Sequence, residues 1–242
     1  MALGKWFSAE VTNIIDETEN TKRFFFKVPE LEVFNFKAGQ FITFDLPIHE
    51  KKNRRWRSYS MASPPNGSNE FELVIVYVPQ GSATNYLWSK VRIGSTIPFK
   101  GPAGNFILPD VIDTDLCFIA TGTGIAPFRS MLYDEINHPR ATRNINLIFG
   151  TRYLKDILYR QEIEAIHHQL PQFKFIPALS REYSPDYSGH KGYVHAVYEK
   201  LFSDKRPANY YLCGWRNMVD EAKVRIAAMG YNKKDIHVEL YG

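Results

Sequence analysis

Two short stretches of the chain carry residue types that could bind phosphate and a flat heterocycle. Arg57, Ser58, Tyr59 and Ser60 are consecutive and combine a guanidinium fork, an aromatic ring and two hydroxyls, which suit phosphate, a planar ring and a ring nitrogen. The run Thr121-Gly122-Thr123-Gly124-Ile125-Ala126-Pro127 places glycines before a proline, as in loops where phosphate approaches backbone N–H groups at a helix start. Alone, the first stretch is more typical of an amphipathic edge strand, and the second fits a tight turn equally well.

The elements that must position the first stretch have a β-rich pattern. Short segments rich in β-branched and aromatic residues are separated by Gly, Pro and Asn up to about Leu108, and one segment has helical spacing instead. Several strands at such close spacing predict an antiparallel β-barrel or sandwich. Examples of the predicted strands are Phe7–Ile15, Arg23–Val28, Gln40–Leu46 and Phe71–Val78; another is expected to end at Arg57–Ser60, and the predicted helix is Ala83–Val91.

The second stretch lies where strand-like and helical runs begin to alternate. This pattern predicts a doubly wound, five-stranded parallel sheet, and the proline-led acidic segment Pro109–Asp115 predicts a boundary between domains at 1–110 and 111–242. The predicted strands are Leu116–Ala120, Ile145–Phe149, Phe173–Leu179, Tyr210–Cys213 and Ile236–Tyr241. The predicted helices are Phe128–Ile136, Leu158–Leu170, His195–Phe202 and Met218–Met229.

Composition excludes several classes of protein. The formal charge of +4 is too mild to indicate nucleic-acid binding by itself. Two cysteines cannot form a disulfide framework, a four-cysteine zinc site or an iron–sulfur cluster, so any redox centre must be bound or external. The start Met1–Trp6 has no signal-peptide pattern, and no apolar run reaches the roughly 20 residues of a membrane span. We therefore expect a cytoplasmic protein without membrane insertion.

Short motifs in a fixed order resemble the ferredoxin–NADP reductase family, in which a flavin-binding barrel precedes a pyridine-nucleotide domain; no fused ferredoxin domain is indicated. Arg57-Ser58-Tyr59-Ser60 is similar to the family's flavin signature, and the other pieces extend over nearly the whole chain. They are Lys37–Phe41, Gly81–Thr84, Gly101–Phe106, Gly122–Pro127, Gly150–Arg152, Ser180–Glu182, Cys213–Val219 and Val238–Tyr241.

The resemblance implies an FAD site in the first domain. Arg57 would pair with the pyrophosphate, Tyr59 would stack on the isoalloxazine and Ser60 would hydrogen-bond near its N5. Gly81, Ser82, Ala83 and Thr84 would offer backbone N–H groups and the Thr84 hydroxyl to the same pyrophosphate. Ser58, Val76, Tyr77 and Val78 complete the implied FAD-binding set.

The resemblance also implies a nucleotide site in the second domain. Ser180 and Arg181 suit the 2′-phosphate of NADP, because an NAD enzyme would usually carry an acidic residue there; NADPH is therefore favoured over NADH. The other implied nucleotide contacts are Thr123, Gly124, Pro127, Arg152, Lys191, Tyr193, Gly214 and Met218. Ser60, Cys213 and Glu239 are the implied catalytic residues, and Tyr241, which precedes Gly242, either covers the flavin or is a frayed end.

The implied activity is an FAD-dependent oxidoreductase that moves electrons between NADPH and an acidic carrier, ferredoxin or flavodoxin. The basic run Lys51-Lys52-Asn53-Arg54-Arg55-Trp56-Arg57 predicts either a solvated loop or a dock for such a carrier, ahead of a nucleic-acid patch. The alternative is an NADH-dependent reductase component of a multicomponent oxygenase, or a flavin or haem-protein reductase. The oligomeric state is not indicated by the sequence.

Overall fold

A computed structural model describes residues 5–241 of the chain. Met1–Gly4 and Gly242 lie outside the described residues, and so do the predictions that involve them: part of the start without a signal-peptide pattern, and the residue after Tyr241. The structure divides into two units: the first runs to Ile107 and also includes Arg129–Tyr133, and the second contains Leu108–Phe128 and the chain from Asp134 onward.

The first unit is a six-stranded antiparallel sheet with one short helix. Its strands run in the spatial order β4-β3-β6-β1-β2-β5. The backbone N–H of Ala62, just beyond β4, donates to the carbonyl of Glu72 in β5 at 2.8 Å, so the two edges of the sheet are joined as in the predicted barrel. The elements are β1 Phe7–Thr18, β2 Thr21–Lys27, β3 Phe41–Asp45, β4 Trp56–Ser60, β5 Glu70–Val76, α1 Ser82–Ser89 and β6 Thr96–Ala103.

Aromatic side chains fill this barrel because alternate strand residues point inward. Phe26 stacks on Phe71 at 5.1 Å between ring centroids and packs on Phe44 at 5.3 Å. Strand β6 was not predicted, since two prolines and a glycine argue against a strand. Burial of Ile97 and Phe99 on one side of β6 outweighs that signal.

The second unit is a parallel sheet with helices on both faces. Its strand order is β10-β9-β8-β7-β11-β12. On one face Phe118 of β7 stacks on Phe128 of α2 at 4.8 Å, and on the other Ile119 and Leu212 belong to one core with residues of α4 and α5. The elements are β7 Asp115–Thr121, α2 Ala126–Asn137, β8 Ile145–Thr151, α3 Arg160–Ala165, β9 Phe173–Leu179, β10 His190–Lys191, α4 Val194–Leu201, β11 Ala208–Gly214, α5 Arg216–Ala228 and β12 Ile236–Leu240.

The two-domain fold class is confirmed, with two corrections in the second unit. The sheet has six strands rather than five, because His190 and Lys191 pair with Ala178 and Leu179 as a two-residue edge strand. That segment is too short to give a periodic signal. The predicted helix Leu158–Leu170 is wrong in extent: α3 ends at Ala165 and a 3-10 turn continues the chain over Ile166–His168. Among the described helices none is long and apolar enough to cross a bilayer.

Candidate functional site

The predicted flavin residues of the first unit lie on an edge strand. β4 pairs with β3 in an unbroken register from Asp45 opposite Trp56 to Phe41 opposite Ser60, so alternation places Arg57 and Tyr59 on the same side of the strand. The Tyr59 ring packs on Phe44 at 5.8 Å, and burial raises the pKa of Tyr59 to about 12. The phenol therefore stays neutral at physiological pH.

Arg57 combines a positive charge with partial exposure. Its Nη1 donates to the carbonyl oxygens of Trp56 at 2.8 Å and Arg54 at 3.1 Å. Within residues 5–241 no carboxylate neutralises this guanidinium through a salt bridge. A guanidinium that bonds to nearby backbone carbonyls and has no acidic partner is suited to an anionic ligand.

The turn between β5 and α1 presents the start of a helix. Thr84 Oγ1 donates to the carbonyl oxygens of Val78 at 2.9 Å and Gly81 at 3.1 Å and accepts from the Val78 N–H at 3.1 Å. The hydroxyl expected to face a pyrophosphate thus holds the turn together. A Cβ at Gly81 would lie 2.8 Å from Thr84 Oγ1, so a larger residue there would have to displace the hydroxyl that holds the turn.

Among the side chains that the structure describes, none caps the N-terminus of α1, and the N–H groups of its first turn have no helical acceptor. Ser82 and Ala83 supply the first of these groups. Leading into the turn, half-buried Val76 ends β5, Val78 is 46% exposed, and the Tyr77 hydroxyl donates to Asn85 Oδ1 at 2.7 Å. The first unit therefore offers an uncapped helix start, an unneutralised arginine and a partly buried tyrosine. This donor set fits a group that bears a pyrophosphate and a planar ring, as FAD does.

In the second unit, two glycines allow the ends of β7 and β11 to approach each other. A Cβ on Gly124 would overlap the carbonyl of Cys213, and a Cβ on Gly214 would overlap the backbone and hydroxyl of Thr121. Gly214 also has φ +139, a conformation that favours glycine. The two glycines thus allow close contact at the carboxyl ends of β7 and β11, where α2 begins. Thr123 is half-buried there, and Pro127 lies in the first turn of α2.

The predicted 2′-phosphate residues lie together at the carboxyl end of β8, β9 and β10. The Ser180 N–H donates to the Thr151 carbonyl at 3.0 Å, and the Arg181 N–H to that of Arg152 at 2.9 Å. Lys191 Nζ donates to the Ser184 carbonyl at 2.7 Å. The side chains of Arg152, Arg181, Lys191 and Tyr193 are exposed. Three cations and an aromatic ring therefore border one rim, where open α/β sheets bind ligands.

Cys213 and Glu239 are opposite each other in the β11–β12 register. The Cys213 thiol is fully buried, and burial together with the Glu239 carboxylate raises its pKa well above the usual range, against a hydrogen bond with Tyr241. Met218 is half-buried in α5. The structure thus brings Cys213, Glu239 and Tyr241 together, and Cys213 is a neutral thiol.

Trp215 is a residue that sequence reasoning missed. It is 71% exposed, precedes α5 and donates its backbone N–H to Thr121 Oγ1 at 3.0 Å. Its indole nitrogen lies 3.8 Å from the position that a Cβ on Gly122 would take. The available sequence signal was a tryptophan directly after a Cys-Gly pair at the end of a predicted strand.

The basic run between β3 and β4 is partly ordered by its own contacts. Lys52–Arg54 form an exposed 3-10 turn, while Arg55 Nε lies 2.7 Å from Asp45 Oδ1. The exposed cations are therefore Lys51, Lys52 and Arg54.

Two family models match separate parts of the chain. The model of the oxidoreductase FAD-binding domain family matches residues 8–107, and that of the oxidoreductase NAD-binding domain family matches residues 118–223. The chain is 33% identical to ferredoxin–NADP reductase B of Sorangium cellulosum over 217 residues, which covers 87% of each chain.

Two further relatives are also reductases by name. The chain is 30% identical to the phenol 2-monooxygenase reductase component DmpP of a Pseudomonas species, covering 85% of this chain and 58% of that one. The crystal structure of the Amycolatopsis cytochrome P450 reductase GcoB superimposes with a TM-score of 0.87 at 27% identity, covering 98% of this chain and 69% of that one. This chain therefore spans only part of the length of each of these two relatives.

Proposed function

Because the chain belongs to the ferredoxin–NADP reductase family, we propose that it moves electrons between NADPH and a separate one-electron carrier, ferredoxin or flavodoxin, by way of FAD. The observation that carries the proposal is that one oxidoreductase chain has two sets of groups suited to phosphate. The first is Arg57 on β4 with the start of α1, and the second is the exposed cations at the carboxyl end of the parallel sheet. When bound, FAD supplies the exchange between a two-electron hydride donor and a one-electron acceptor.

The first unit's residues would bind and orient FAD. Arg57 would neutralise the pyrophosphate together with the first N–H groups of α1, since guanidinium and helix N-termini both bind phosphate. Tyr59 would offer its ring face to the isoalloxazine. Ser60, at the end of β4, would present a hydroxyl to the ring edge.

The second unit's residues would bind the pyridine nucleotide. The glycine loop before α2 and the rim of Ser180, Arg181 and Lys191 would hold its phosphates, and Tyr193 would stack on the adenine. Cys213 and Glu239 would serve the nicotinamide end. Because the Cys213 thiol stays protonated, it would act by packing and weak hydrogen bonding rather than as a base.

The preference for NADPH is tested by comparing kcat/KM for NADPH and NADH with ferricyanide as acceptor. We expect wild type to favour NADPH, and Arg181→Ala to lose about 10-fold or more with NADPH but little with NADH, because a charge-assisted hydrogen bond to phosphate contributes about 1.5–3 kcal/mol. Arg143→Ala removes an exposed arginine at the opposite end of β8 and serves as the matched control. Equal losses with both nucleotides would contradict the assignment of Arg181.

The second candidate is an NADH-dependent reductase component that serves an oxygenase, and the similarity to DmpP and GcoB favours it. Titration of the NADPH-reduced protein with purified ferredoxin and flavodoxin separates the two candidates. Rapid turnover with either carrier supports the first. A preference for NADH together with slow transfer to both carriers supports the second.

A further inference from the structure

A buried carboxylate in the barrel is shared by two arginines. Glu72 of β5 is 4% exposed. Arg23 Nε donates to Glu72 Oε1 at 2.6 Å, and Arg129 Nη1 donates to Glu72 Oε2 at 3.2 Å. Arg129 belongs to the stretch of α2 that forms part of the first unit and is 8% exposed. Two cations therefore converge on one buried anion.

The same groups fix the backbone that follows Ser60. Arg129 Nη1 also donates to the Ala62 carbonyl at 2.8 Å, and Ser130 Oγ donates to the Ser63 carbonyl at 2.7 Å. From the other side, the Ala62 N–H donates to the Glu72 carbonyl at 2.8 Å, and the Glu72 N–H donates to Ser63 Oγ at 3.0 Å. Ala62 and Ser63 are thus held between Glu72 and the Arg129–Ser130 pair.

Stability alone does not account for this arrangement. A buried ion pair is often no more stabilising than apolar side chains of similar size, because both charges lose their hydration. A guanidinium, however, can hold a carbonyl and a carboxylate together in one fixed plane. What Arg129 supplies beyond an apolar residue is therefore a defined position for the Ala62 carbonyl, two residues after Ser60.

We propose that Arg129 is a positioning residue for Ser60: by anchoring the Ala62 carbonyl and Glu72, it fixes the end of β4 and so the orientation of the Ser60 hydroxyl. This inference rests on the proposed function, in which Ser60 faces the flavin. Arg129 itself need not touch either ligand.

The test replaces the guanidinium and keeps the side-chain stem. Arg129→Met is compared with Arg140→Met as a matched control. Arg140 lies just after α2 and pairs with Asp134 at 2.7 Å and Glu135 at 2.6 Å. Three quantities are measured: the FAD dissociation constant, the visible circular dichroism of the bound flavin, and the rate of its reduction by NADPH in stopped flow.

We expect Arg129→Met to slow flavin reduction about 10- to 100-fold, since small misplacements of reacting groups have effects of this size. The NADPH concentration for half-saturation should not change, the flavin dichroism should change, and Ser60→Ala added to Arg129→Met should slow reduction little further. Arg129→Lys should recover part of the rate, because an ammonium can still donate to the Ala62 carbonyl. Arg140→Met should leave rate and dichroism as in wild type.

Wild-type flavin dichroism and reduction rate in Arg129→Met would overturn the positioning role, and so would strictly additive effects of Arg129→Met and Ser60→Ala. If Arg129→Met does not fold, Arg129→Lys decides instead, because it keeps the charge and loses the guanidinium fork: fully wild-type dichroism and rate in that variant would overturn the positioning role. Failure of the proposed function is distinguishable, because then the wild-type protein itself would bind no FAD or would not be reduced by NADPH.

Discussion

At the scale of single residues, chemistry depends on what each side chain touches. Arg57 bonds to two backbone carbonyls and to no carboxylate within residues 5–241, so its charge is available to a phosphate. Thr84 presents the opposite case, because its hydroxyl proton is already donated inside the turn before α1. The sequence motif alone could not separate these two roles.

Arg57→Ala should weaken FAD binding about 10- to 100-fold, the equivalent of one charge-assisted hydrogen bond to phosphate. The measurement is the flavin-to-protein ratio after gel filtration, followed by titration of the apoprotein with FAD. Arg54→Ala removes a neighbouring exposed cation and should keep the wild-type affinity. Equal weakening in both variants would show that only the summed charge of the run matters.

Cys213 should resist alkylation in the folded protein. Burial and Glu239 raise the pKa of its thiol, so at pH 8 it remains protonated, whereas a free cysteine with a pKa of about 8.5 is partly thiolate. Mass spectrometry after iodoacetamide treatment at pH 8 should find Cys213 unmodified until urea is added. Rapid modification of folded protein would contradict the raised pKa.

The raised pKa of Cys213 also makes the free energy of unfolding depend on pH. The contribution of Cys213 is fully present below the unfolded pKa of about 8.5 and is lost as the pH rises through the folded pKa.

At the scale of elements, the close approach of β7 and β11 depends on glycine. Gly214→Ala should lower the free energy of unfolding by about 1–3 kcal/mol more than Gly230→Ala, because the added methyl group overlaps Thr121. Gly230 has φ +102 with open space around it, so its substitution reports backbone strain alone. Urea denaturation of both variants measures the difference. Equal losses would mean that Thr121 moves away without cost.

Elements with a strong periodic signal were predictable from the sequence. Phe173–Leu179 was predicted with its observed bounds, because Phe173, Phe175 and Ile176 form a short, strand-length segment of aromatic and β-branched residues between two helical runs. Strand β6 was not, because Pro98, Gly101 and Pro102 mask the buried pair Ile97 and Phe99. The ion pair between Glu72 and Arg129 could not be predicted either, because 57 residues separate them and no local sequence pattern indicates the contact.

The candidate site was predictable in its parts. The glycines of the α2 loop were assigned to phosphate approach, yet Gly124 and Gly214 are also required by the contact between β7 and β11. Trp215 was passed over because an exposed aromatic after a strand has no periodic meaning. Shape requirements of this kind arise only when distant strands are placed side by side.

At the scale of the whole molecule, the basic run would affect how an acidic carrier approaches, because Lys51, Lys52 and Arg54 are exposed. Electron transfer to an acidic carrier protein should slow as salt rises, because ions screen attraction over about 10 Å at 0.1 M. Lys51→Glu with Lys52→Glu should reduce both the rate at low salt and its salt dependence. Transfer to menadione, an uncharged acceptor, is the control and should not change.

A carrier rate that is insensitive to salt in wild type would identify the basic run as a solvated loop. It would leave the flavin and nucleotide assignments untouched, since those depend on other residues.

The shared anchoring of Glu72 has a consequence for synthesis of the chain. Glu72 leaves the ribosome 57 residues ahead of Arg129, a delay of about 3–11 s at 5–20 residues per second. Over that interval the growing chain contains Glu72 and its partner Arg23, but Arg129 has not yet been added. The second cation that holds Glu72 is therefore added only when synthesis has passed the midpoint of the 242-residue sequence.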